Sequence, residues 1–532
     1  MTKETMTPHQ LAREHEAGVR FNQGIELYDT VRVNEDFFIG KQWEGVKSNG
    51  LPTPVFNFLK RVVLFAVANV STDNLKLHAK PMAAGGKGSA AVMETFSAIL
   101  NDQFAAIFEE NAMGKLVREF CRNAAVDGDG CLYTYWDSEA ETGQDARGAI
   151  RTQVLQNTQV MFGNPNCRDV QSQPYILIER RMLLSEARRY AQKLGCQDTQ
   201  AIVPDEKPAG NLEMDRLGGE KVTILLRLWR DEETGTVHGY EATRTVELRG
   251  AWDLGIKRYP LVWMNWDYVP DCYHGQAMIT GLIPNQIFVN KLFAMSMISL
   301  MTLAYPKVVY DKTKVAKWSA RVGAAIGVNG AVDNVAKIID PASISPQIAQ
   351  FIDSAVGYTQ KFLGASDVAL GDAKPNNTSA IIALQRAAAT PMELTRQNLM
   401  QCMEDLGRIY MDFEGEYYGV RSVEVEMPET KMKERVRFDF SVLKDVPCGI
   451  DLDAGASSYW SEIANMQTLD NLLIRGKIPT SEYLRRLPAG QITDREALIA
   501  VTQAAEQGQR QGQGTDLAQM IQKGMNTNGP AI

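Results

Sequence analysis

Two short stretches carry residue types that perform chemistry in other proteins: AAGGKGSAA at 83–91 and DGDG at 127–130. A phosphate-binding loop cradles phosphates on glycine N–H groups, places a lysine directly before Ser or Thr, and follows a strand. Here Lys87 precedes Gly88 and the five-residue glycine spacing is missing, so 83–91 reads as a flexible linker. DGDG has the opening of a calcium loop, yet the twelfth position counted from Asp127 is Ser138, where a bidentate glutamate is required. It is expected to form a turn between a helix and a strand. Neither HExxH nor GxSxG occurs. The five histidines, His9, His15, His78, His238 and His274, are far apart, so a metal or nucleophile site centred on them would have to be built wholly by the fold. Each reads as a surface or capping residue. No catalytic, cofactor-binding or metal-ligating residue can be named, and no cofactor is expected. In so long a chain that favours a structural or assembly role.

Composition narrows the class further. With 532 residues, 45% hydrophobic and 23% charged, the chain can bury sizeable cores and is expected to divide into two to four domains. The start, MTKETMTPHQLAREHEAG, mixes charges and lacks the basic-then-apolar layout of a secretory signal, so a cytosolic product is expected. Cys121, Cys131, Cys167, Cys196, Cys272, Cys402 and Cys448 show no paired spacing and read as reduced thiols. A net charge of −8 argues against a protein that coats nucleic acid, because that affinity comes from neutralising phosphates. A local basic patch, or a channel through which DNA slides without sticking, remains compatible with an acidic whole.

The elements around these residues are mostly readable. Residues 8–43 look like one amphipathic helix ending at Gly45, and PVFNFLKRVVLFAVANV predicts a buried helix from Pro54 to Val70. A strand at 75–79, helices at 89–109 and 112–125, and strand-rich texture over 130–265 follow, with one helix, LLSEARRYAQKLG, bounded by Ser185 and Gly195. This half is α+β. KLFAMSMISLMTLAYPK at 291–307 then places fifteen uncharged residues between two lysines. A bilayer core needs about 20 apolar residues, so the helix from about 285 to 305 is expected to be buried in protein, inside its own domain or against copies of itself. A small lobe with β and turn signals separates it from a second long helix. There Ser345 is the expected N-cap, Pro346 the first helical residue, and Ile348, Phe351, Ile352, Ala355, Thr359, Phe362 and Leu363 share one stripe. A third helix, 378–413, carries Pro391 and must bend or break near Thr390. Strands VRFDFSV and GIDLD follow, then helices stopped by Gly476 and capped at Thr493/Glu496. Beyond Gln503 the Gln/Gly/Asn-rich composition predicts disorder.

The order of α+β domain, helix, small lobe, helix and kinked helix resembles the portal proteins of tailed bacteriophages. NEDFFIGKQW, GLIPNQIFVNKLF leading to AYPKVVYD, NNTSAIIALQ, and IANMQTLDNLLIRGKIPTSEYLRRLP are similar to that family in style, over roughly residues 30–500. The resemblance implies an α+β portal fold assembled into a ring. Its parts would be a wing (1–275), a first stem helix (276–306), a clip (307–341) and a second stem helix (342–366). A wing return (367–455) would contain a kinked tunnel helix (376–415) with Asn376, Asn377 and Pro391, followed by a helical crown (456–502) and the 503–532 tail. Subunit contacts would fall on Leu292, Met295, Met297, Ile298, Leu300, Ile348, Phe351 and Ile352.

By the same resemblance the partners would be further copies of the chain, usually twelve, double-stranded DNA in the channel, the terminase large subunit, capsid and scaffolding proteins, and a head-tail adaptor. The location would be the portal vertex of a virion assembled in a bacterial cytoplasm, with no membrane insertion. Within fifteen positions of the clip, 307–321, Lys307, Lys312, Lys314, Lys317 and Arg321 oppose the single acid Asp311 and would form a basic collar. The alternatives are a metal-dependent nucleic-acid enzyme and a peripheral membrane assembly protein, although the 285–306 helix lacks the Lys/Arg enrichment of an interfacial helix.

Overall fold

The computed structural model describes residues 6–48, 50, 52–71, 75–81, 90–143, 146–207, 219–304, 308–315, 317–319, 321, 325–333, 335–338, 347–362, 392–426, 433–444, 448–453, 459–487, 498–499 and 501–502. The chain divides into two compact units, Met1–Ala454 and Gly455–Ile532.

The first unit opens on the helix Pro8–Gly24, where Thr7 and Gln10 form a reciprocal capping box. The sequence predicts one helix over 8–43; two are present. Glu26 adopts a left-handed conformation (φ 56°), which interrupts the backbone ladder before a second helix, Leu27–Ile39. That helix ends at Gly40 rather than Gly45, because Gly40 takes φ 96° and the N–H of Lys41 turns back to the carbonyl of Asp36 at 2.7 Å. The next helix starts at Phe58, not at Pro54. Asn57 caps it through its side chain, which accepts from the N–H of Lys60, while the carbonyl of Pro54 accepts from Trp43 Nε1 at 2.9 Å.

Helices Ala90–Glu110 and Met113–Asp127 match the expected spans closely, and the second leads through Gly128 (φ 101°) straight into strand Asp129–Asp137. DGDG is therefore the helix-to-strand turn its glycines predict. Gly128 also sits where a Cβ would strike the carbonyl of Gly275. Strand Asp129–Asp137 pairs on one edge with Ala149–Leu155 and on the other with Leu261–Asn265, all antiparallel. A five-stranded antiparallel sheet runs in chain order through Val160–Phe162, Ile176–Leu183, Lys221–Arg230, Val237–Ala242 and Glu247–Asp253. The helix Leu184–Lys193 lies between its second and third strands; Leu183, not Ser185, occupies its cap, with no side-chain bond.

The main core joins these sheets to the helices. Leu59, Val62 and Ala66 from one helix share one continuous core with Phe104, Phe120, Tyr259 and Tyr410, all at most 1% exposed. Fully burying a Leu or Phe side chain is worth about 1.5–3 kcal/mol, and such burial holds the helix Phe58–Val70 and the strand Leu261–Asn265 against the helix Glu393–Phe413. Gly407 of that helix packs directly over Ile450 and Leu77 in the two-stranded pair Lys76–Pro81 with Cys448–Asp453. All seven cysteines are free. In the second unit, helices Tyr459–Ile474 and Thr480–Arg486 flank Gly476, whose positive φ (62°) ends the first as expected. Lys307, Ser345, Pro346, Asn376, Asn377, Pro391, Thr493, Glu496 and the 503–532 tail lie outside the described residues.

Candidate assembly surface

The helix Ile283–Ala304 changes character along its length. Its first turns are buried: Ile283, Gln286, Val289 and Asn290 are all at most 9% exposed. Gln286 Nε2 donates to the Phe56 carbonyl at 2.8 Å and to Asn290 Oδ1 at 2.9 Å, and Asn290 Nδ2 donates to Gln42 Oε1 at 2.7 Å. Phe56 stacks on Phe293 with centroids 3.9 Å apart. The base is thus locked by hydrogen bonds whose partners lie in the 40–57 loop. Sequence reasoning missed Gln42, Gln286 and Asn290, because the bonded residues are 230–248 positions apart and no local periodicity marks them.

From Lys291 to Met301 no residue of the helix is buried. The residues there are almost wholly apolar. Its packing partner is the helix Gln347–Phe362. Asn285 Nδ2 donates to Thr359 Oγ1 at 3.1 Å, so the two run antiparallel. Phe288, Met295, Met297, Leu300 and Met301 on one helix, and Phe351 and Tyr358 on the other, are 40–63% exposed. Leu292, Ile298, Ile348 and Ile352 are half-buried. Among the described residues no helix is long and apolar enough to cross a membrane. An exposed apolar surface of this kind, on a helix with one charged residue between 283 and 304, is the type of patch that marks a macromolecular contact. Ile39, Val46, Val55 and Leu64, in the segments that lead to and form the helix base, are exposed as well.

The two helices flank the small lobe. Strand Val308–Tyr310 pairs antiparallel with Ala336–Ile338, Tyr310 stacks on Trp318 at 5.3 Å, and Val315 is fully buried. Asp311 accepts from Thr313 N at 2.9 Å and Thr313 Oγ1 at 2.6 Å. Those bonds, with Lys314 nearby, hold its carboxyl below the usual carboxylate range. Lys312, Lys317 and Arg321 are exposed and Lys314 half-buried; among the described residues none of the four sits in an ion pair.

Elsewhere the titratable side chains are structural in their contacts. Asp129, fully buried, accepts from Asn265 Nδ2, Gly275 N and Asn157 Nδ2 and bonds His274 Nδ1 at 2.6 Å, while His274 Nε2 faces Asn22 at 3.2 Å. His15 bonds Glu179 at 2.9 Å. Both histidines are therefore core residues rather than surface or capping ones, placed there by carboxylates distant in sequence. No cluster of three or more His, Cys, Asp or Glu side chains able to hold a metal occurs among the described residues.

The fold is thus a mixed α+β body from which an apolar helical hairpin carries a small basic lobe. Residues 199–423 match the family model described as Phage P22-like portal protein. The matched segment includes the helical hairpin and the lobe, and the match supports a phage portal protein, a structural rather than enzymatic class found in the virion capsid. No curated protein matches the chain.

Proposed function

We propose that this chain is the repeating subunit of a ring of about twelve copies at one capsid vertex, closed by head-to-tail contacts. The observation that carries the reading is the exposed apolar hairpin. Met295, Met297, Leu300 and Phe351 face solvent in a single chain, and neighbouring copies would cover them without lipid. Leu292, Ile298, Ile348 and Ile352 would complete the interface. The parts would then be a wing (1–275 and 367–455), stem helices (276–306 and 342–366), a clip (307–341) and a crown (456–502). The ring would nucleate shell assembly with capsid and scaffolding proteins, dock the terminase large subunit during packaging, and later hold the head-tail adaptor.

Its mechanism follows from geometry and charge. A ring around a duplex cannot follow the helical symmetry of DNA, so contacts fall on phosphates rather than bases. A bore with few lysines lets DNA slide, because each phosphate contact adds salt-dependent affinity that slows passage. The work of translocation comes from a separate ATPase, in keeping with the degenerate glycine stretch at 83–91. Negative-stain imaging of the purified protein tests the reading: rings with a central hole support it, and a uniform population of monomers at micromolar concentration rejects it.

A further inference from the structure

A cavity of about 630 Å³ opens between the three-stranded sheet and the five-stranded sheet, beside the turn that follows helix Glu393–Phe413. Two indoles wall it. Trp136 stacks on Tyr417 with centroids 5.1 Å apart, and Trp252 carries the Arg249 guanidinium 4.0 Å above its ring. Each indole lies against a glycine, Gly148 under Trp136 and Gly239 under Trp252, where an added Cβ would fall inside the ring's van der Waals surface. Walls fixed in this way do not have to be ordered when something binds, and the volume is that of a small-ligand cleft.

The hydrogen-bonding inventory decides what would bind. On the floor, Glu241 accepts from Arg180 and from the Tyr190 hydroxyl at 3.0 and 3.2 Å, so its oxygens are engaged. Glu139 accepts from Lys193 Nζ at 2.8 Å, Asp253 from Gly255 N at 2.8 Å, and Asp137 from Glu139 N at 3.1 Å. Among the described residues the second oxygens of Asp137, Glu139 and Asp253 make no hydrogen bond, and open capacity lies on the donor side as well. Among the described residues the Arg249 guanidinium, the indole N–H groups of Trp136 and Trp252, and the Tyr133 hydroxyl have no hydrogen-bond acceptor. Open donors beside open carboxylate oxygens suit a ligand that both donates and accepts, as a peptide backbone does. The lining also holds four acids (Asp137, Glu139, Glu241, Asp253) against three bases (Arg180, Lys193, Arg249). That balance disfavours anions and a multiply charged phosphate ester most; a single carboxylate enters only by pairing directly with Arg249, which no lining acid holds among the described residues, whereas Arg180 and Lys193 are held by Glu241 and Glu139.

We propose that this cleft binds a short extended peptide that carries one Asp or Glu carboxylate next to an apolar or aromatic side chain. The carboxylate pairs with Arg249, the neighbouring side chain lies on the exposed Tyr135 ring, and peptide carbonyls accept from the indole N–H groups. Aromatic and arginine side chains of this kind are the ones that dominate protein recognition. The site draws on the two sheets and the adjoining turn alone and does not depend on ring formation.

The test uses the full-length protein, tryptophan fluorescence and calorimetric titration with acetyl-Tyr-Glu-Leu-amide, its glutamine counterpart, and adenosine monophosphate. The glutamate peptide is expected to bind roughly tenfold more tightly than the glutamine peptide, the size of a charge-assisted hydrogen bond. Arg249→Gln, an exposed change, is expected to abolish that preference. Equal binding of the two peptides, no binding up to millimolar concentration, a preference retained in Arg249→Gln, or tighter binding of the nucleotide would each overturn the proposal.

Discussion

Asn285, in the first turns of the apolar helix, donates to Thr359 Oγ1 at 3.1 Å, and the Thr359 hydroxyl in turn donates to the Ala355 carbonyl at 2.7 Å. Thr359 is 3% exposed, so this short relay fixes the register of the helical hairpin at the one end where it is dry. Further along, the pairing rests on apolar side chains that are open to solvent.

Thr359→Val removes the acceptor for Asn285 while keeping the shape of the side chain. Deleting a buried hydrogen bond costs about 1 kcal/mol, which corresponds to roughly fivefold faster amide exchange if the hairpin opens locally. Exchange mass spectrometry on peptides from 347–362 measures it. Unchanged protection there would mean that the bond does not hold the register.

Met297→Asp and Leu300→Asp test the assembly surface without disturbing the subunit. Both side chains are exposed in the single chain, so the variants should keep wild-type circular dichroism and solubility. Between copies, however, the carboxylate would be buried unpaired, at a cost of several kcal/mol per site. Rings are expected to disappear from negative-stain images and sedimentation profiles. Rings of undiminished stability in both variants would move the interface away from this helix.

Legibility followed the range of the interactions. The DGDG turn, the helix 113–127 and the stop at Gly476 were readable because glycine, capping and periodicity act within a few residues. Glu26 broke a helix that its sequence would continue, since its left-handed backbone is not a preference of glutamate. The break accompanies the placing of Asn22 beside Tyr273 and His274, partners 251 and 252 residues away that no local pattern encodes. The apolar hairpin was evident as a run of residues, but its base, locked by Gln42, Gln286 and Asn290, was not. Nor was the cleft, whose walls come from separate strands of two sheets and a turn.

Glu414 offers a test through pH. It is fully buried in the π-helical turn Glu414–Tyr418, and neither carboxyl oxygen has a hydrogen-bond partner. Burial pushes its carboxyl well above the usual range, against the pull of Arg421; Tyr418 lies close, and Glu110 in turn acts on Arg421 and Tyr418. In the unfolded chain a glutamate ionises near pH ~4.3. The neutral buried form therefore contributes fully below that pH, and its contribution is lost as pH rises toward the raised folded value. Glu414→Gln cannot titrate, so it should gain on the wild type by on the order of 1–3 kcal/mol between about pH 5 and pH 8. Urea denaturation at the two values checks this, and parallel pH dependence of both proteins would show that Glu414 is not the titrating group.

The basic lobe yields the last prediction. Lys312, Lys314 and Lys317 make no ion pairs among the described residues, and isolated surface charges contribute little to folding, so changing all three to Gln should leave the subunit intact. Asp311 keeps its bonds to Thr313, which are the larger cause of its depressed carboxyl, and the turn should persist. In the proposed ring the change would remove three charges per copy at the lobe's end of the assembly. If that end meets an acidic protein surface, association slows most at low salt, because screening at 0.15 M already limits attraction to about 8 Å. If it meets DNA, the slope of log affinity against log salt flattens by about one for each phosphate that is no longer neutralised. Partner pull-down and DNA binding across a salt series separate the two, and a triple variant unchanged in both would reduce the lobe's charge to a solubilising surface.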